Sequence, residues 1–336
     1  MKNDFDKRIR FGYSFLLKKI VHINLQLLYS CNFRCRICDF WKDSQTNKQQ
    51  LSVEDIKIIA GKLKPLGPQI ISIGGGEPLM HKDIVSIASI LGKNNFPVMI
   101  CNGWFMTKML AKELFKAGMY EVSISLDYAD PEKHDAQRGI KGAFDKAVNA
   151  LKILNENREF PHQRVHMISV VMDDNIDEIH ELIRLAKKIG VTYLVTLYSS
   201  NRGKKDDLVT NKNISKHLLK LKKENPEFVA LRGYLNKFSE AAANKGTGEC
   251  KGGINFFNID SSGNVSFCID HLEQNSGNML KDDIDKITAN LKLASLNNRC
   301  AGCWTSCRGS IETLLYGSDK IKNYYDMHQM TKKIRL

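Results

Sequence analysis

Between Val21 and Tyr198, short apolar runs alternate with longer stretches of helical period. The runs cover 22–29, 69–74, 97–101, 120–126, 165–171 and 192–198. Each is rich in β-branched or aromatic residues, as buried parallel strands are. Helical patterns fill the intervals at 52–64, 82–94, 107–117, 142–156 and 175–189. Ser52 with Asp55 three residues on is close to a capping box, and Gly190 stands where a helix-ending glycine belongs. Six βα units with right-handed crossovers predict an α/β fold, a partial (β/α)6 TIM-like barrel. Such barrels gather their chemistry at the C-terminal ends of the strands.

The rhythm stops near residue 200. A Lys-rich helical pattern at 212–224 ends at Asn225-Pro226, since proline disfavours helix in the residue before it. A loop-rich, cysteine-bearing region from 245 to 310 follows. Within it, 256–267 reads as two strands around an Asp-Ser-Ser-Gly-Asn turn, a hairpin that would bring Cys250 close to Cys268. The chain thus divides into a lead-in (1–20), the barrel (21–225), a small cysteine-rich β-hairpin/helix module (226–315) and a basic tail (316–336). In the lead-in, Phe5, Ile9, Tyr13, Leu16 and Ile20 have helical spacing. That stripe could lie on a membrane, and packing against the body of the protein is the expectation.

Composition changes this picture little. The hydrophobic fraction of 43% and charged fraction of 26% are ordinary for a globular chain, and 336 residues can bury a large core. Lys+Arg 50 against Asp+Glu 37 gives +13, which suits an anionic substrate, an anionic cofactor group, a nucleic acid or a membrane surface. Much of the excess lies at 202–223 and 320–335, read here as solvated faces. No helix-turn-helix, zinc-finger helix or basic–aromatic stripe supports nucleic-acid binding. No signal peptide or transmembrane run is visible, so the nine cysteines read as metal binding in a reducing cytoplasm.

Candidate chemistry falls where the barrel would put it. Cys31, Cys35 and Cys38 follow the first strand, Gly74-Gly75-Gly76-Glu77-Pro78 the second, Asn102-Gly103 the third and Asp127 the fourth. Three thiolates at this spacing can hold three irons of a cubane [4Fe–4S] cluster and leave the fourth open; a zinc site with a distant ligand or a redox pair is the plainer alternative. The glycines allow close backbone approach, Glu77 adds a carboxylate and Pro78 a rigid exit. Farther on stand Cys250, Cys268, Cys300, Cys303 and Cys307, for which a structural zinc ribbon is the plainer reading.

The C-x3-C-x2-C loop beside a Gly-Gly-Glu-Pro turn resembles the radical S-adenosylmethionine (SAM) superfamily. One departure is Ile37, where the family often has an aromatic residue; Ile37 could still pack on adenine. The resemblance implies that SAM chelates the open iron and is cleaved to a 5′-deoxyadenosyl radical that abstracts a substrate hydrogen. It implies cofactor contacts from Gly75, Gly76, Glu77, Pro78 and Asn102, and SAM-carboxylate binding by Ser125 and Arg138, with Asp127 near the SAM or substrate site. Asn102-Gly103 resembles the family's Thr-Asn-Gly turn, which makes Cys101 a small buried residue. It also implies a cellular one-electron donor such as flavodoxin or ferredoxin.

The Cys250…Gly263…Cys268 spacing with Cys300-Ala301-Gly302-Cys303 resembles the SPASM/Twitch extension. Five cysteines are too few for a full SPASM pattern, so one auxiliary [4Fe–4S] cluster on Cys250, Cys268, Cys300 and Cys303 is implied. Cys307 is then an alternative ligand, a packed thiol, or a hydrogen donor to a substrate radical. A fully ligated auxiliary cluster suits electron transfer. The leading expectation is therefore an oxidoreductase acting on a small polar or anionic metabolite, such as a sugar, aminocyclitol or nucleotide-linked group. The runner-up is a peptide maturase that crosslinks or epimerises a ribosomal peptide; the short stretch before His22 weighs against a leader-dependent version. A non-catalytic Fe–S or zinc protein is the reading from another class.

Overall fold

The computed structural model describes residues 2–42, 49–199, 213–243 and 246–332. Six parallel strands run in chain order across one sheet: β1 (His22–Leu28), β2 (Ile70–Gly75), β3 (Phe96–Cys101), β4 (Glu121–Ser125), β5 (Arg164–Val171) and β6 (Thr192–Leu197). Helices α2 (Val53–Leu63), α3 (Ile84–Gly92), α4 (Lys108–Lys116), α6 (Ala143–Glu156) and α7 (Ile179–Ile189) connect them, with α5 (Pro131–Arg138) inserted after β4. The capping box at Ser52 and Asp55 is formed, and Gly190 caps α7 at φ 83°. The partial barrel expected from the sequence is therefore present.

Alternation sorts each strand into two faces. Ile23, Leu25, Leu27, Ile71, Ile73, Met99, Val122, Ile124, Met167 and Val195 are buried in one core with the inner faces of the helices. The register sets His22, Asn24 and Gln26 beside Ser72 and Gly74 on the opposite, concave face. That face is more polar than short apolar strands suggest.

The cysteine-rich region is continuous with the barrel sheet. Strand β7 (Phe256–Ile259) pairs in parallel with β1, and the expected hairpin to β8 (Asn264–Ser266) forms, followed by β9 (Asn275–Asn278). Beyond β6 come α8 (Ile214–Glu224), α9 (Arg232–Asn236), α10 (Phe238–Ala242), α11 (Ile284–Leu296) and α12 (Ser306–Tyr316). Helix α12 packs against both β1 and β6, bridging the two edges of the open barrel. Its Ser306 N–H donates to Thr196 Oγ1 at 3.0 Å.

One expectation at the start of the chain needs correction. The lead-in is helical, as α1 (Lys2–Leu16), yet Phe5, Ile9, Tyr13 and Leu16 are 69, 55, 61 and 74% exposed. The helix packs through its other side. Phe11 and Phe15 meet Phe96 and Tyr324, and Lys7 Nζ donates to the carbonyls of Gly92 and Asn95. The side that packs combines two phenylalanine rings with a lysine that reaches the carbonyl end of α3. The basic tail is also helical over α13 (Lys320–Lys332), held by buried Asp326, which accepts from Arg232 N at 2.8 Å and pairs with its guanidinium. Of the basic runs, 202–212 and 333–336 lie outside the described residues; Lys216, Lys220, Lys223, Lys320 and Lys322 are exposed, as solvated faces require. Among the described residues no helix is long and apolar enough to cross a membrane.

Candidate active site

The loop after β1 is held from two sides by backbone alone. From β2, Gly76 N–H donates to Leu28 O at 2.7 Å and Glu77 N–H to Ser30 O at 2.9 Å. A Cβ on Gly76 would stand 2.0 Å from Ser30 O, and one on Gly75, at φ 112°, would stand 2.1 Å from Leu28 O. No side chain fits there, which explains both glycines. From the other side, Arg34 and Arg36 N–H donate to the carbonyls of Arg138 and Gln137 at 3.2 and 3.0 Å. These carbonyls are the otherwise unpaired C-terminal end of α5.

Helix α5 was not foreseen, although its signals are in the sequence: Asp130 as N-cap, Pro131 at the first turn and Gly139 at the end, with φ 69°. It also delivers Arg138, whose guanidinium meets Asp127 Oδ2 at 2.6 Å and lies 3.9 Å from Cys35 Sγ. Burial alone would lower the Arg138 pKa, but Asp127 and Cys35 carry it above its ordinary value. Asp127 is fully buried at the end of β4; its Oδ1 accepts from Val170 N–H at 2.9 Å. Asp127, expected near the SAM or substrate site, turns its carboxylate to Arg138 and the backbone. His134 Nδ1 accepts from Asp127 N–H, and burial pushes its pKa down to about 2.

In the loop itself, Phe33 and Ile37 are buried while Cys31, Cys35 and Cys38 are each half-buried. Ile37 packs with Tyr128, Met172 and Tyr198 at the ends of β4, β5 and β6. Burial pushes the Cys31 thiol up to about 12, and Cys35 is raised by burial, partly offset by Arg138. Glu77 is buried; its carboxylate accepts from Leu79 N–H at 3.0 Å and Asn102 N–H at 2.8 Å. Burial raises its pKa to about 7 against those two bonds. Pro78 opens a 3₁₀ turn. Asn102 Nδ2 donates to Asn32 Oδ1 at 2.9 Å, joining the third-strand turn to the cysteine loop. Ser125 is half-buried at the end of β4, and Cys101 is buried as expected.

The five C-terminal cysteines fall into two sets. Cys268 and Cys303 each interact electrostatically with Cys307, and Cys250 with Cys300. Thr305 Oγ1 lies 3.5 Å from Cys303 Sγ and 3.1 Å from Cys307 Sγ. Burial pushes the Cys250 and Cys303 thiols up to about 11 and about 12. Arg308, which the sequence reading passed over, is buried and binds the loops together. It donates to Gly248 O at 2.7 Å, Cys303 O at 2.8 Å and Glu312 Oε1 at 3.0 Å, and Glu312 accepts from Lys251 N–H at 2.8 Å. Its one signal is an arginine set in an otherwise uncharged helical turn. Near this site Ser199, just past β6, donates to Asp270 Oδ2 at 3.1 Å.

Among the described residues no three His, Cys, Asp or Glu side chains meet around a single ion. One tetrahedral ion needs thiolates within about 4 Å of one another. Thiolate sulfur is the usual ligand of iron–sulfur clusters, so the donor chemistry of Cys31, Cys35 and Cys38 fits one.

Residues 25–186 match the Radical SAM superfamily. The chain is 29% identical over 188 residues to an AdoMet-dependent heme synthase of Methanosarcina barkeri (strain Fusaro / DSM 804), covering 55% of this chain and 53% of that protein. It is 33% identical over 180 residues to the mycofactocin maturase MftC of Mycolicibacterium smegmatis (strain ATCC 700084 / mc(2)155), covering 53% and 45%. The match thus spans about half the length of these relatives. Among solved structures, Streptococcus suis SuiB bound to precursor peptide SuiA superposes with TM-score 0.63 at 16% identity, covering 95% of this chain and 71% of that one. A tagged form of anSMEcpe with bound AdoMet superposes with TM-score 0.64 at 14% identity, covering 94% and 97%.

Proposed function

We propose, from the premise that residues 25–186 are a radical SAM domain, that the whole chain is a radical SAM enzyme with an auxiliary Fe–S cluster, and that it oxidises its substrate. The observation that supports this reading is the placement of Cys31, Cys35 and Cys38 in the loop after β1, together with two further thiol sets, Cys268 with Cys303 and Cys307, and Cys250 with Cys300. Cys31, Cys35 and Cys38 would hold a [4Fe–4S] cluster with an open iron, and SAM would lie against Gly75–Pro78, Asn102, Ser125 and Arg138. Bound there, the cofactors supply reductive cleavage of SAM and hydrogen-atom abstraction from the substrate.

The protein's own part is placement. Backbone bonds from α5 and the β2 turn fix the cysteine loop, and Arg138 sets a positive charge beside Cys35. Arg138 can also pair with the SAM carboxylate, since its guanidinium has more donors than Asp127 uses. Cys250, Cys268, Cys300 and Cys303 would hold the group that accepts the substrate's second electron. The place of Cys307 beside Cys268 and Cys303 favours an alternative ligand over a hydrogen donor.

A peptide substrate is supported by one relative named a maturase and one structure solved with its precursor peptide, and a small metabolite by the relatives named heme synthase and GTP 3',8-cyclase. Anaerobic reconstitution followed by iron and sulfide counting tests the whole proposal. It should give about eight irons per chain, and dithionite with SAM should release 5′-deoxyadenosine. Bound zinc without SAM cleavage would overturn it.

A further inference from the structure

The concave face of the barrel carries three buried amides, each with one polar atom that no described residue satisfies, while Asn258 Nδ2 donates to Ser266 Oγ at 3.3 Å. Asn24 and Asn258 are register partners on β1 and β7, and Gln26 lies one pair farther toward the cysteine loop. They are 7, 0 and 2% exposed. Asn24 Nδ2, Gln26 Oε1 and Asn258 Oδ1 have no hydrogen-bond partner among the described residues. Buried polar groups are nearly always paired, so three neighbouring orphans on one wall point to something that completes them. Gly74, level with Gln26, leaves the space open: a Cβ there would come no nearer than 4.0 Å to the amide.

The opposite wall is mixed, with aliphatic side chains among Ser123, Ser125, His166 and Thr192. Val98 and Ile100 on β3, Ile168 on β5 and Leu194 on β6 share the concave face by register, and Ile100 is 40% exposed despite its place in a central strand. The face is therefore open, with an amide side and a mixed side. No lysine or arginine side chain is described on the β1 or β7 part of this face. His22, at its foot, is pushed down to about 4 by burial and is neutral at pH 7. Glu121 and Arg164, lower on β4 and β5, are paired with each other and with His166.

We propose that this face binds an uncharged amide carrying an aliphatic group, with the amide against Gln26, Asn24 and Asn258 and the aliphatic part against Val98, Ile100 and Leu194. Side-chain amides present a donor and an acceptor together, which a second amide answers on both atoms. A polyol would leave the aliphatic side chains against hydroxyls, and a carboxylate beside Asn24 and Gln26 would meet no lysine or arginine of β1 or β7. The inference rests on the radical SAM reading for its biological meaning, because it names the substrate chemistry of that site. A peptide bond and a free carboxamide share this chemistry.

Saturation-transfer NMR on the SAM-loaded holoenzyme separates the cases, with N-acetyl-leucine N′-methylamide, acetamide, acetate and erythritol as probes. N-acetyl-leucine N′-methylamide should bind, and Gln26→Leu and Asn258→Leu should each weaken it about tenfold. Gln26→Met keeps the length of the side chain and removes its unpaired acceptor, and should weaken binding similarly in a folded protein. Preference for the leucine derivative over acetamide indicates a peptide source, and equal affinity a free carboxamide. Binding of acetate or erythritol as tight as either amide, unchanged amide binding in all three variants, or no amide binding would overturn the proposal. The same samples are assayed for 5′-deoxyadenosine. Its absence with amide binding intact sinks the radical reading alone, and its release without amide binding sinks only the amide wall.

Discussion

At the scale of single residues, buried polar groups decide the local arrangement, and Asp127 is the clearest example. Its carboxylate balances Arg138 at 2.6 Å in a place without solvent. Asp127→Asn should cost about 3–5 kcal/mol, because it leaves a buried guanidinium without its counter-charge. The same variant should bind SAM more weakly in equilibrium dialysis, with Asp127→Glu recovering part of both losses. Unchanged SAM binding in a folded Asp127→Asn protein would refute a positioning role. His134 carries a pH signature. Its folded pKa is depressed to about 2 by burial, while the unfolded side chain protonates near 6.5. Acid therefore favours the unfolded chain, and the contribution is lost as pH falls below 6.5, by about 1.4 kcal/mol per pH unit. Glu77, raised by burial to about 7, acts in the opposite sense between pH 7 and 4.5. Urea unfolding of the protein and of His134→Gln at pH 7 and 5.5 isolates the histidine: the variant should lose less stability on acidification, and equal losses would contradict the assignment.

At the scale of elements, short helices matter more than their length suggests. Helix α5 has only eight residues, yet its C-terminal carbonyls receive the cysteine loop and its last side chain reaches Cys35. Helix α12 does the corresponding work for the second thiol group through Arg308, which reaches the loops bearing Cys250 and Cys303. Arg308→Lys retains the charge but cannot reproduce three separated donor contacts. Reconstituted Arg308→Lys should hold about four irons instead of about eight, while still cleaving SAM. Full iron content in that variant would show that Arg308 is dispensable to the auxiliary site.

At the scale of the whole molecule, β7 extends the barrel sheet past β1 and α12 bridges to β6, so the cysteine-rich region completes the concave face. The ends of the chain meet as well, where Phe15 packs on Tyr324. This contact gives a contrast within one helix. Phe15→Ser should destabilise by about 3 kcal/mol or more, whereas Leu16→Ser, at 74% exposure, should stay within about 0.5 kcal/mol. Comparable losses in thermal melts would mean that the exposed stripe is covered in solution.

Much of this was legible before any coordinates. Strand and helix periods, the caps at Ser52 and Gly190, the Cys31–Cys38 loop and the hairpin between Cys250 and Cys268 are local signals, written within a few residues and set by local sterics. The partners of those residues are not local. That Asp127 faces Arg138, that Arg34 and Arg36 bond to α5, that Arg308 ties two cysteine loops, and that α1 buries Phe11 and Phe15 rather than Ile9 depend on which surfaces meet. So does the pairing of Asn24 with Asn258, 234 positions apart in the chain. The sequence determined which chemistry is present and at which strand ends it stands. Only tertiary structure decided which groups neutralise one another and which are left facing the open side of the barrel, because burial and hydrogen bonding are properties of neighbours in space.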